Sequence, residues 1–124
     1  MKRFAIELGY GADLHGADMT KAAVRAVRDA MSRVCLAGLV EILGLKDFQG
    51  VHVHVEVAVP VPEAVDVSAL VPLVPIGTVE VSVVAGGLRT SGLLVERFGP
   101  DQSDIVAACA ALTVSVNPTE QSNA

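Results

Sequence analysis

A chain of 124 residues and 12.8 kDa holds enough material for one hydrophobic core, and splitting it would leave two pieces too small to bury one each. Its formal charge of -5, from 9 Lys and Arg against 14 Asp and Glu, argues against a broad nucleic-acid-binding face. Mean hydropathy is +0.54, yet Glu56, Pro60, Pro62, Glu63 and Asp66 interrupt the apolar stretches before any reaches bilayer-spanning length.

The chain opens with Lys2 and Arg3 before an apolar run that stops at Glu7, too short for the apolar region of a signal peptide. Phe4, Ile6 and Leu8 alternate with Ala5 and Glu7, which predicts a strand with one apolar face. Gly9-Tyr10-Gly11 then weakens β continuation and leads into the polar loop Asp13-Leu14-His15-Gly16-Ala17-Asp18. From Thr20 to about Val34 the period becomes helical. Val24, Val27, Met31 and Val34 are expected to face the core, with Lys21, Arg25, Arg28 and Ser32 on another face. Asp18 or Thr20 is the candidate cap. Arg25/Asp29 and Asp29/Arg33 are i,i+4 pairs worth about 0.2–0.5 kcal/mol each on an exposed helix.

Leu36 to Leu43 permits a second helical segment, weakened by Gly38 and stopped at Gly44. The clearest strand follows. Val51, Val53, Val55, Val57 and Val59 alternate with His52, His54, Glu56 and Ala58 until Pro60 and Pro62 close it. Glu63 to Val74 accommodates only a short irregular helix, because Pro72 and Pro75 break a longer one. A further strand starts near Thr78 on the alternation of Val79, Val81 and Val83 and ends at Gly86-Gly87. Leu88 to Arg97 reads as a hairpin arm or loop. Ile105 to Val116 is compatible with helix or strand, and a terminal strand with an alanine-rich entry is favoured.

With 52% apolar residues but only three Phe, one Tyr and no Trp, the core must be built from valine, leucine and alanine. The predicted class is α+β: a single domain over residues 1–116 with a roughly four-stranded mixed or antiparallel sheet, helices packed on one face, and a flexible tail over 117–124. The uncovered sheet face favours a homo-oligomer. Cys35 and Cys109 form no short-spaced redox or zinc motif and are expected as buried free thiols, consistent with the cytoplasm.

The segment Glu7-Leu8-Gly9-Tyr10-Gly11-Ala12-Asp13-Leu14-His15-Gly16, followed by Asp18 and the run Thr20 to Ala30, resembles an uncharacterised family of small bacterial and fungal proteins. The resemblance continues through Val53-Glu56-Ala58-Val59-Pro60 and through Gly77-Val79-Glu80-Val83-Val84-Gly86-Gly87. It implies a compact α+β protein and brings no reaction with it. The helix followed by a Val/His-rich strand is also similar to single domains of the ring-opening amidohydrolases, whose Lys-Ser constellation finds no residue-by-residue match here.

The functional expectation centres on the first loop and the helix after it. Glu7, Asp13, His15, Asp18, Lys21, Arg25 and Arg28 are the candidate binding residues, since basic side chains and free N–H groups at a helix start can receive a small anion, in a loop-helix or intersubunit site. The alternative is a small-molecule hydrolase or amidohydrolase-like enzyme with His15 as general base, Asp13 orienting it and Lys21 stabilising an oxyanion. His52, His54 and Glu56 share a strand face and form the one candidate metal trio, although strand spacing separates them too widely to ensure convergence. Gly9, Gly11 and Gly16 match neither the dinucleotide nor the Walker spacing, so local backbone freedom is their expected role and no cofactor is expected. Glu80 is expected at a strand edge or in solvent.

Overall fold

Period-2 alternation of valine decides where the sheet lies. The computed structural model describes residues 1–98 and 103–117, and in it Val51, Val53, Val55, Val57 and Val59 of strand β2 (Val51–Val59) are all buried on one face. Each such side chain withdrawn from water contributes about 1.5–3 kcal/mol. The other elements are β1 (Lys2–Asp13), α1 (Met19–Arg33), α2 (Ala37–Glu41), β3 (Thr78–Ala85), β4 (Leu88–Ser91) and β5 (Asp104–Val116), with short 3-10 turns between β2 and β3.

The sheet runs in the order β1-β5-β2-β3. β5 pairs antiparallel with both β1 and β2, and β3 pairs parallel with β2. β4 lies against β5 beyond the end of β2, with Leu88 opposite Ala107 and Ser91 opposite Asp104. The sheet is therefore mixed and five-stranded, one strand more than expected, the addition being the four-residue β4. Residues 105–116 resolve as strand, so the alanines there lie in β5. The predicted tail lies outside the described residues beyond Asn117.

Both helices fall between β1 and β2, and α1 packs on the sheet face made by β1, β5 and β2. Its fully buried stripe is Met19, Ala22, Ala23, Ala26, Val27 and Ala30. Val24, Met31 and Val34 face the core as expected, but are only partly buried and pack at its margin. The reason is the closeness of approach. A Cβ on Gly9 would lie 2.2 Å from the Ala26 carbonyl oxygen, and one on Gly11 would lie 2.3 Å from the Ala26 nitrogen. Only glycine on the strand and alanine on the helix permit this spacing, so larger residues are displaced to the flanks.

Two expectations are corrected here. Gly9-Tyr10-Gly11 does not end β1, which continues to Asp13, because the two glycines serve contact with α1 rather than backbone freedom. Gly16, at φ 100, is the one of the three glycines that needs a left-handed backbone. The apolar face expected for this strand, with Ile6 and Leu8 56% and 63% exposed, is the one turned away from α1. Cys35 and Cys109 are free, as expected, but exposed rather than buried, Cys35 just after α1 and Cys109 on the open face of β5.

Candidate functional site

The loop between β1 and α1 gathers most of the predicted binding residues, and they satisfy one another. Asp13 ends β1 with its side chain 3% exposed, the single buried charged side chain among the described residues. Its Oδ2 accepts the Asp18 N–H at 2.9 Å. Its Oδ1 lies 3.8 Å from Lys21 Nζ and 4.0 Å from Arg25 Nη1. Asp18 is the N-cap of α1, accepting the Lys21 N–H at 3.0 Å, while Thr20 instead bridges to the β2–β3 crossover by accepting the Asp66 N–H at 2.9 Å. Two helix-start charges are thus met by a carboxylate of the chain itself, and one of the orphan N–H groups by another. His15 is exposed on the loop tip.

The remaining predicted residues extend along the edge of β1. Arg25 donates to the Ala12 carbonyl at 2.5 Å, Asp29 accepts the Tyr10 N–H at 2.9 Å, and Arg33 donates to the Leu8 carbonyl. Arg33 also bonds Asp29 at 2.6 Å and lies 4.0 Å from Glu7. Of the two i,i+4 pairs expected, Asp29/Arg33 forms, while Arg25 turns to the strand. The Arg33 hydrogen bond, followed by the Tyr10 N–H, holds the Asp29 carboxyl below its ordinary range. β1 is a sheet edge, and these side chains occupy its outward N–H and C=O groups, which would otherwise accept a foreign strand. Glu7 belongs to this guard rather than to the loop. Arg28 is exposed and, among the described residues, makes no hydrogen bond or ion pair.

A second polar group lies on the other face of the sheet. The parallel register sets His54 opposite Glu80 and Glu56 opposite Ser82, and all four side chains share the face opposite α1, which no helix among the described residues covers. His54 Nε2 lies 3.1 Å from Ser82 Oγ, and His54 Nδ1 lies 3.8 Å from Glu80 Oε2. Beside His54 and Glu80, which form part of its wall, opens a recess of about 250 Å³ lined also by His52, Thr78, Thr113, Ser115 and Met1, with Ser82 outside the lining. His52, His54 and Glu56 do not converge as a metal trio. Successive same-face residues on a strand stand about 6.6 Å apart, and among the described residues no group of three or more His, Cys, Asp or Glu side chains could hold a metal ion. Ser82 escaped the sequence reading because its partnership with His54 depends on inter-strand register. The readable signal was that two valine-alternating strands carry polar residues on their other faces.

Beside this recess the same face is apolar. Ile6, Leu8, Tyr10, Val84 and Leu88 are 56%, 63%, 60%, 40% and 59% exposed, next to Ala58, Cys109 and Ala111. A shallow notch of about 110 Å³ lies between Leu8, Glu56, Ala58 and Cys109.

No helix among the described residues is long and apolar enough to cross a membrane. A comparison with curated proteins finds no match. Among solved structures, the chain is similar to an FtsZ-like protein of unknown function from Nostoc punctiforme, with 35% identity, a TM-score of 0.82, and coverage of 94% of this chain and 97% of that one. The family model described as Conserved hypothetical protein (Lin0512_fam) matches residues 3–114. The chain, through almost its whole described length, belongs to this family of conserved hypothetical proteins.

Proposed function

We propose that the protein is a self-associating binding module that holds a small polar ligand, anionic in part, in an intersubunit site on the open sheet face. The observation that carries this reading is the coincidence, on one uncovered face, of five exposed large apolar residues with a polar recess of about 250 Å³. A monomer leaves such a surface in water at a free-energy cost, and covering it with a second copy removes that cost. The area is sufficient. Four strands about 4.8 Å apart and about 30 Å long span on the order of 600 Å² of flat sheet, and side-chain relief brings this towards the roughly 800 Å² per partner of a stable interface.

The recess suits a ligand with acceptor oxygens for the imidazoles of His52 and His54 and the hydroxyls of Thr78, Thr113 and Ser115, and a donor for Glu80. The loop before α1 is the weaker seat for an anion, because Asp13 and Asp18 already occupy its charges. A hydrolase built on His15 would draw its orienting acid from Asp13, whose two oxygens serve Asp18, Lys21 and Arg25. A likeness to single amidohydrolase domains is carried by the sequence resemblance alone. A cytoplasmic location fits two unpaired, exposed thiols, which an oxidising compartment tends to bridge.

The test is an NMR titration of the full chain with a panel of small carboxylates and amides, observing the three histidine rings. Movement of the His52 and His54 resonances ahead of His15 is the expected result. Movement of His15 alone returns the site to the loop and defeats the proposal.

A further inference from the structure

We propose that Ser82, His54 and Glu80 form a nucleophile, base and orienting acid for acyl transfer from a small carboxylic ester bound in the adjoining recess. This rests on the reading that a second copy covers the open face, since exclusion of water is what gives such a relay its strength.

The connectivity is the one acyl transfer requires. A serine hydroxyl is a weak nucleophile until a base takes its proton, and the base works best when its far nitrogen faces a carboxylate. His54 meets Ser82 through Nε2 at 3.1 Å and faces Glu80 through Nδ1 at 3.8 Å, so each ring nitrogen addresses the partner suited to it. All three side chains stand on paired strands rather than loops, with the His54–Glu80 register fixed by the β2–β3 ladder, so their spacing is held by the backbone. The His54 and Glu80 side chains are 43% and 83% exposed. They are therefore reachable by substrate in one chain and can be dried by a partner face.

In the first half-reaction Ser82 Oγ bonds to the ester carbonyl carbon while its proton passes to His54 Nε2. The tetrahedral adduct collapses, the ester C–O bond breaks, and the proton on His54 leaves with the departing alcohol, so Ser82 carries the acyl group. In the second half-reaction water gives a proton to His54 as its oxygen bonds to the acyl carbon. The bond to Ser82 Oγ then breaks, Ser82 recovers a proton from His54, and a carboxylic acid departs. Glu80 remains ionised throughout and acts as a positioning residue that keeps the imidazole aligned.

The full chain is incubated with p-nitrophenyl acetate, with p-nitrophenolate release followed optically and the acetylated residue located by peptide mass spectrometry. Light scattering on the same samples reports assembly, and circular dichroism reports folding of the variants. Acetyl transfer to Ser82 is expected, abolished in Ser82→Ala and slowed about a hundredfold or more in folded His54→Gln. Glu80→Gln should lower kcat with KM unchanged, and Glu80→Asp should restore part of it. An assembled protein in which Ser82 is not acetylated, or is acetylated equally fast in His54→Gln, overturns the relay while leaving the assembly reading standing. A monomer that acetylates Ser82 through His54 supports the relay and removes the assembly reading, and a monomer with no acetylation overturns both.

Discussion

Replacing Gly11 by alanine inserts one methyl group where α1 crosses β1. That Cβ would lie 2.3 Å from the Ala26 nitrogen, 2.6 Å from the Ala22 carbonyl oxygen and 2.6 Å from the Arg25 Cβ. Ordinary contact begins near 3.4 Å, so relief requires the helix to move by about 1 Å, and two of the three obstructing atoms are backbone that cannot rotate away. Lifting the helix loosens the layer formed by Ala22, Ala26 and Ala30 and draws Arg25, Asp29 and Arg33 off the β1 edge. Overpacking of this kind costs about 1–3 kcal/mol, and the backbone contacts place Gly11→Ala at the upper end, about 3 kcal/mol. Gly38→Ala provides the comparison. Its nearest neighbour is the tip of the Phe4 ring at 2.8 Å, which can swing aside, and alanine is the better helix former by about 1 kcal/mol. Urea denaturation of the two variants should show a large fall in midpoint for Gly11→Ala and a change within about 1 kcal/mol for Gly38→Ala. Equal and small effects would refute the close-packing explanation of the Gly/Ala seam.

Asp13→Ala should cost about 1–3 kcal/mol, because the Asp18 N–H loses its acceptor and Lys21 and Arg25 lose their counter-charge. It also vacates an anion seat, so millimolar acetate is expected to raise the melting temperature of Asp13→Ala by more than that of the unsubstituted protein. Asp29 is held below its ordinary carboxyl range by Arg33 and by the Tyr10 N–H. The stability it contributes is therefore fully present above the unfolded carboxyl value of about 4 and is lost as pH falls through the lower folded value. Acid titration of Asp29→Asn, followed by circular dichroism, should show a shallower loss of stability below about pH 4 than the unsubstituted chain. An identical acid profile would contradict that linkage.

Much of the fold was legible because valine alternation and helical periodicity are local signals. Val51 to Val59 and Val79 to Val83 form strands where their period indicates, and Asp18 caps α1 as one of two candidates. Gly9 and Gly11 misled because a glycine's meaning depends on what approaches it. In sequence they read as a turn, whereas in the fold they are the floor beneath a helix. For the same reason the apolar face of β1 was legible but its side of the sheet was not, and Ile6 and Leu8 stand on the open side. At the first loop the residue types were legible and their mutual neutralisation was not, since an acid beside bases reads equally as a ligand seat or as its own occupant. The His54–Ser82 contact spans 28 residues and becomes visible only once β2 and β3 are in register.

Light scattering of the full chain across a range of concentrations, alongside Leu8→Glu, decides whether the open face is a working interface. Leu8 is 63% exposed on that face, in the edge strand β1, so a charge there leaves the monomer fold intact and opposes association. A self-associating face gives a mass at a multiple of 12.8 kDa for the unsubstituted protein and a return to the single-chain mass for Leu8→Glu. A single-chain mass at every concentration, or an assembly that Leu8→Glu leaves unchanged, contradicts it.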